Sequence, residues 1–248
     1  MSFLKTEKEI AKMRKAGRIA ALAMKEVEKM IKPGITTFEV DNLVEAVFKR
    51  EGAESAFKRV EGYSFSICST PDDWVVHGLP DNKPLAEGQI VGIDLGCYID
   101  GFNSDMADTF PVGKVSKKVT EFLETGKRAL KEAIKEVKVG NRIGDISNKI
   151  QTMVESKGSS VVKEFVGHGI GEKLHEEPWI PGFGDKATGE KLQEGLVIAV
   201  EVIYNQGKRA VEMLPDGWTI VTKDGSLAGL FERTVAATSK GPVVLTSE

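Results

Sequence analysis

Asp94 interrupts an otherwise apolar run, Gln89-Ile-Val-Gly-Ile-Asp-Leu-Gly-Cys-Tyr98. A little further on, Asp105 follows Asp100-Gly101, a dipeptide that between two alternating runs reads as a hairpin turn. If those two residues form the loop, residue 99 pairs with 102 and 96 with 105, so Asp94 and Asp105 share a face as diagonal neighbours. Diagonal partners lie ~7–8 Å apart, within joint reach of one or two cations, whereas a loop of odd length would turn the two acids to opposite faces. Glu201 stands in the middle of Leu196-Val-Ile-Ala-Val-Glu-Val-Ile-Tyr204, a run apolar enough to be buried on both faces. Glu232 is likewise placed in Gly229-Leu-Phe-Glu-Arg-Thr-Val-Ala-Ala237. An ionised carboxylate in such a strand must be paired, protonated or bound to a metal. Arg233 is a poor partner, because it points to the opposite face from Glu232. Together the four carboxylates carry a charge that two divalent ions would neutralise, the donor set of a two-metal site with ions ~3.5–4 Å apart.

The remaining donor of such a site is usually a neutral imidazole. The chain has three histidines, His77, His168 and His175. A histidine is ordinarily a surface or core residue, so its neighbours must argue for chemistry. His168 lies in Val166-Gly-His-Gly-Ile-Gly171, where three glycines disfavour a helix and let the backbone pass close to something else. The segment lacks the spacing and the Lys-Ser/Thr of a nucleotide-phosphate loop. His175 is followed by Glu176-Glu177-Pro178, and His77 ends an apolar run that turns at Gly78-Leu79-Pro80.

These residues need elements to carry them. Thr6-Glu7-Lys8-Glu9 and Thr36-Thr37-Phe38-Glu39 read as capping boxes. Each opens an amphipathic helix, the first stopped by Pro33-Gly34 and the second before Gly52. The arrangement returns 106 positions later: a long helix over 117–139, a break at Gly140, and a second stripe over 143–154 before Gly158. Strands are expected over 63–68, 73–77, 89–99 and 102–110, then over 159–166, 196–204, 209–214, 217–222 and 228–237. Blocks of helices alternating with blocks of strands predict an α+β fold, with a largely antiparallel sheet covered by helices. We read residues 1–248 as one domain of two related halves, approximately 1–113 and 114–248.

The chain has 248 residues, with 34 Lys and Arg against 37 Asp and Glu, so nothing in its net charge favours nucleic acid or an anionic membrane surface. No apolar stretch approaches the ~20 residues that span a bilayer, and the opening residues lack the apolar core of a signal peptide. Two cysteines are too few for a disulfide scaffold. A cytoplasmic globular protein is expected.

At these positions the sequence closely resembles the type I methionine aminopeptidases, metallopeptidases of the so-called pita-bread fold. The matching segments are Val-Val-His77-Gly-Leu-Pro, Ile-Asp94-Leu, Gly-Phe-Asn-Ser-Asp105, Gly-His168-Gly-Ile-Gly, His175-Glu-Glu-Pro, Glu201, Phe-Glu232-Arg-Thr and Asp-Gly-Trp218-Thr. The resemblance implies a curved sheet in two pseudo-symmetric halves. It also implies two divalent ions (Co, Mn, Fe or Zn) held by Asp94, Asp105, His168, Glu201 and Glu232, with Asp105 and Glu232 bridging. Glu201 would also serve as proton acceptor. His77 and His175 would contact substrate, and Tyr63, Cys68 and Trp218 would line the methionine pocket. The implied reaction removes an N-terminal methionine that precedes a small residue, a rule that the chain's own Met1-Ser2 fits.

N-terminal methionyl peptides and nascent chains would be the substrates, with transient ribosome contact, no nucleic-acid specificity, no membrane and a monomeric state. Three positions depart from the family pattern: Val202 in place of proline, Arg233 in place of histidine and Leu174 in place of phenylalanine. Two other readings compete. Proline-directed relatives use a similar ligand set but carry a large extra N-terminal domain, and metal-free binding relatives have lost ligands that this chain keeps.

Overall fold

The computed structural model describes residues 4–247, so Met1 and Ser2 lie outside the described residues. Two helices, α1 (Glu7–Met30) and α2 (Thr37–Arg50), lead into strands β1 (Glu54–Ser55), β2 (Ile67–Pro71), β3 (Trp74–Val76), β4 (Ile90–Ile99) and β5 (Phe102–Pro111). Then come α3 (Lys117–Ile134) and α4 (Ile143–Glu155), followed by β6 (Ser160–Val161), β7 (Gly167–Gly169) and β8 (Glu176–Ile180). The chain continues through β9 (Val197–Asn205), β10 (Val211–Met213), β11 (Ile220–Thr222), β12 (Ala228–Thr238) and β13 (Gly241–Val244). Both expected capping boxes form: Thr6 and Thr36 each accept from the backbone three residues on, and Glu9 and Glu39 reach back.

The main sheet runs β1-β4-β5-β12-β9-β7-β8, with β2 on β4, β6 on β9 and β13 on β12, and these strands pair antiparallel. A smaller sheet, β10-β11-β3, stands beside it. Strand alternation sorts the two faces. Ile93 and Leu95 of β4, with Met106 of β5, pack under α1 and α2 against Met24, Val44 and Phe48. Val200 and Tyr204 of β9, with Phe231 and Val235 of β12, pack under α3 and α4 against Phe122, Leu130 and Ile146. Asp94, Asp105, Glu201 and Glu232 have the opposite parity on these strands. The apolar layer under the helices thereby fixes the acids on the other face.

Several boundaries differ from the sequence reading. The strand expected over 63–68 begins only at Ile67, because the Ser66 and Ile67 amides donate to the buried Asp41 carboxylate rather than to a ladder. The run 159–166 contracts to β6, and the chain instead pairs at β7 and β8, around His168. The helix expected to reach Val139 ends at Ile134, where shorter-range bonds from Glu136 to Ala133 and from Val137 to Ile134 bury Val137 and tighten the chain toward Gly140.

The seam between β5 and β12 is closed largely by side chains. Direct pairing is limited to Glu232↔Ala107 and Arg233↔Met106. On one side, the Thr109 hydroxyl donates to Leu230 O (2.8 Å) and accepts from Leu230 N (3.0 Å). On the other, the Thr234 hydroxyl donates to Asp105 O (2.8 Å) and accepts from Asp105 N (2.9 Å). Arg233 straps the far face, donating to Ala107 O, Glu232 O and the Asp108 carboxylate. Thr234→Val should therefore strand two buried main-chain groups of Asp105 and cost about 2–3 kcal/mol in urea unfolding, whereas Thr234→Ser should recover most of it. Equal stability of the two variants would refute the seam's dependence on that hydroxyl.

Candidate metal centre

Hairpin geometry comes first. Asp100 and Gly101 both adopt positive φ (52° and 87°), as a two-residue turn requires, and Ile99 pairs with Phe102 and Gly96 with Asp105. Asp94 lies opposite Ala107 and is therefore the diagonal neighbour of Asp105, as the two-residue loop predicts. Glu201 and Glu232 sit directly across from each other on β9 and β12, and His168 lies opposite Ala199. Like charges placed directly opposite are destabilising unless something neutralises them.

His168 reaches this cluster because its flanking glycines let strands close in. A Cβ at Gly167 would lie 2.4 Å from Ala199 O, and one at Gly169 would lie 2.3 Å from Glu177 O. Ligand atoms of Asp105, His168 and Glu232 all fall within 4.8 Å of one another. Nε2 of His168 lies 3.5 Å from Oε1 of Glu201. Its Nδ1 is 2.9 Å from Gly169 O, a carbonyl that can only accept, so Nδ1 carries the proton and Nε2 presents its lone pair to the acids.

The electrostatics tell the same story. Burial pushes Asp94 well above the usual carboxylate range, helped by the charges of Asp105 and Glu201. Glu232 is raised by burial and then by Asp105, Glu201 and Asp94, and Glu201 by burial and Asp105. Burial lifts Asp105 to about 7. His168 is pushed down to about 3 by burial, with His175 adding to the effect, and so stays neutral. Asp94 Oδ1, Asp105 Oδ1 and Glu232 Oε1 are buried with no hydrogen-bond partner among the described residues. Orphaned buried acceptors beside a neutral imidazole suit divalent cations, which the five side chains could hold between them.

A pH test follows from these directions. A carboxylate whose pKa is raised on folding stabilises the native state below the unfolded value, near ~4, and this stability is lost as pH rises through the folded value. For Asp105 that window closes near 7. Divalent ions compete with those protons, so the rise in Tm on adding metal to chelator-treated protein should grow steadily between pH 5 and pH 8. An increment independent of pH would contradict the buried acid cluster.

All ten residues singled out from the sequence line one cavity of about 390 Å³. His77 follows β3 with φ 58°, a conformation that a non-glycine residue holds only when its surroundings enforce it, and its ring packs edge-on to Phe165 at 5.4 Å. His175 packs edge-on to His168 at 4.4 Å. The segment before His175 is tied down: Asn103 donates to the carbonyls of Gly171 and Glu172, and the largely buried pair Lys5–Glu176 closes at 2.7 Å. Both residues keep part of their surface open to solvent, yet desolvation in the cavity lowers the pKa of each ring, so each is presented neutral.

Tyr63, Cys68 and Trp218 form an apolar pocket at one end. The Tyr63 hydroxyl donates to Ile67 O and lies 3.2 Å from Cys68 Sγ, and its ring meets Trp218 edge-on at 5.0 Å. Cys68 pairs in register with Asp94, so this pocket begins one strand from the acids. Burial raises the Cys68 thiol well above its ordinary value, leaving an uncharged wall. Sequence reasoning had no signal for Phe57, Phe165, Leu230 and Trp179, which also line the cavity. Leu174 joins the pocket wall, Val202 is buried on the helix-covered face, and Arg233 is paired with Asp108 away from the acids.

Comparison with known proteins agrees with this geometry. The profile of metallopeptidase family M24 matches residues 11–237. Methionine aminopeptidase 1 of Bacillus subtilis is 43% identical over 246 residues, covering 99% of each chain. The crystal structure of the methionine aminopeptidase of Thermotoga maritima superposes with a TM-score of 0.97 at 42% identity, covering 99% of each chain. The prolidase of Pyrococcus furiosus has the same core at a TM-score of 0.80 and 26% identity, with 66% of its length covered. The curved, helix-covered sheet is thus the pita-bread fold expected from the sequence. With both sequence and backbone matched from end to end, this chain belongs to metallopeptidase family M24, in its methionine aminopeptidase branch.

Proposed function

We propose that this chain hydrolyses the peptide bond after an N-terminal methionine that precedes a small residue, using two divalent ions held by Asp94, Asp105, His168, Glu201 and Glu232. Those five side chains would hold the ions, whose charge would offset that of the four carboxylates. The observation that carries this reading is the convergence of four carboxylates and one neutral imidazole on a cavity that continues into the Tyr63–Cys68–Trp218 pocket. Bound ions supply Lewis acidity, which acidifies water and polarises a carbonyl.

The chain's own groups do the rest. Glu201 opens on the cavity, and with bound cations offsetting the charge of its neighbours it is the carboxylate that takes a proton and returns it to the leaving amine. His175, neutral and held by its anchored segment, donates an N–H to the oxyanion of the tetrahedral intermediate. His77 holds the scissile amide from the other wall. Tyr63 and Trp218 offer ring edges and faces to the thioether of methionine, a contact that polarisable sulfur favours. Cys68 pairs in register with Asp94, so a substrate whose first side chain fills this pocket would bring its free α-amino group to the Asp94 end, which would restrict cleavage to the first bond.

An oxygen-rich donor set with one imidazole suits manganese, iron or cobalt at least as well as zinc. N-terminal methionyl peptides and nascent chains would be met in the cytoplasm by a monomer making transient contact with ribosomes. Among the described residues, no helix is long and apolar enough to cross a membrane. The test is to strip the protein of metal, add back Mn, Fe, Co or Zn singly, and compare Met-Ala with Xaa-Pro peptides. Restored cleavage of Met-Ala peptides alone is expected, and preferential cleavage of Xaa-Pro peptides would overturn the assignment.

A further inference from the structure

Trp179 is 49% exposed, a large apolar side chain in a position that seldom stays bare without a use. It sits on β8 between the buried Pro178 and Ile180. Directly opposite on β7 is His168, and directly opposed residues of an antiparallel pair project to the same face. The indole therefore stands beside the metal-ligand histidine, at the open wall of the cavity rather than in its floor. Among the described residues no ring packs on it and nothing accepts from its N–H.

Two depressions share this side chain. One is the catalytic cavity, and the other, of about 330 Å³, lies between the start of α4 and β8, where Ile143, Pro178, Pro181 and Phe183 supply apolar walls. Sheet order gives the two depressions a direction. The methionine pocket begins at β2 and β4, the acids lie on β4, β5, β12 and β9, and Trp179 is on β8, the last strand of the path. A peptide with its first residue in that pocket must send the rest of its chain out of the cavity, and the β8 side is the opposite end. From β9 to β8 is two strand spacings, ~10 Å, which an extended chain covers in about three residues.

We propose that Trp179 and the groove beyond it form a subsite for the substrate chain past the scissile bond, taking a large apolar or aromatic side chain near the fourth residue. The proposal rests on the aminopeptidase reading and adds to it a preference outside the methionine pocket. The exposed Glu177 and Glu190 on the groove, with Glu164 on the cavity rim, disfavour an acidic side chain there.

The experiment uses the metal-loaded enzyme and the peptides Met-Ala-Gly-Phe, Met-Ala-Gly-Gly and Met-Ala-Gly-Glu. Wild-type kcat/KM should favour the phenylalanine peptide over the glycine peptide by about tenfold, mostly through KM, with the glutamate peptide poorest. Trp179→Ala should bring the phenylalanine and glycine peptides within about twofold of each other while the glutamate peptide stays poorest, and Trp179→Tyr should keep most of the phenylalanine preference. A wild-type enzyme indifferent to phenylalanine or glycine at the fourth residue, or a phenylalanine preference that survives Trp179→Ala, overturns the subsite while the aminopeptidase reading stands. Failure of the wild type to cleave any methionyl peptide would instead overturn both.

Discussion

Glu232→Gln is expected to move the stability of the protein in opposite directions with and without metal. In chelator, the variant should unfold about 1–3 kcal/mol later than the wild type at pH 8, because it removes one of four mutually repelling buried carboxylates and offers an amide donor to the others. The sign follows from the raised proton affinity of Glu232: its cost to native stability grows as pH rises above the unfolded value of about 4, levels off above the folded value, and is absent below the unfolded one. The gain should accordingly shrink as pH falls and vanish by about pH 4. With saturating divalent ions the order reverses, since the orphaned Glu232 oxygen is then missing from the site. Activity should fall by about 10³-fold, equivalent to about 4 kcal/mol of transition-state stabilisation. Thermal unfolding with chelator and with metal, alongside metal content per chain, checks all three. A variant that binds the same number of ions as the wild type would remove Glu232 from the site.

The acids were readable because each is a misfit. A carboxylate in an apolar strand announces that something must compensate it, and Glu201 and Glu232 prove to lie directly opposite each other. The hairpin register was readable for a different reason: Asp100-Gly101 can take two successive positive φ values, which fixes the loop at two residues and with it the shared face of Asp94 and Asp105. The roles proposed for His77, Tyr63, Cys68 and Trp218 rest only on family resemblance. Their types fit ordinary core or surface positions, and nothing in their spacing marks a common cavity. Trp179 and Phe165 left no trace at all, because the cavity brings together β8, the bend after β6 and β3, and no local pattern records that meeting.

The fold divides along a similar line. Helix starts were legible from capping boxes, because the chemistry that closes a helix end is local. Strands β7 and β8 were not, since each is short and broken by glycine or proline; they pair because the glycines around His168 permit an approach that any side chain would block. The β5–β12 seam was equally hidden. Thr109 and Thr234 are unremarkable β-strand residues in sequence, yet their hydroxyls replace the missing ladder at the junction that carries Asp105 and Glu232. Arg233 shows how a departure from the family pattern can be absorbed. Facing away from the acids, it straps the same two strands from behind and pairs with Asp108.

His175→Ala should lower kcat by about 10²–10³-fold, the usual consequence of removing one donor from a developing oxyanion, while KM changes little and metal content does not change. Reach and enclosure separate this residue from His168, though their ring centroids are 4.4 Å apart. His168 lies within reach of the acids through Nε2 and is fully enclosed, whereas His175 stands on the open wall, behind a segment tied down by Asn103 and the Lys5–Glu176 pair. Burial lowers the His175 pKa, so its ring is already neutral at pH 7 and its contribution is a hydrogen bond rather than a charge. His175→Gln, which keeps an N–H donor on a side chain of similar reach, should therefore recover part of the lost rate, and raising the pH from 7 to 8 should not change the ratio of wild-type to Ala rates. A loss of bound metal in the alanine variant would make His175 a ligand, and equal rates for Ala and Gln would deny it the donor's role.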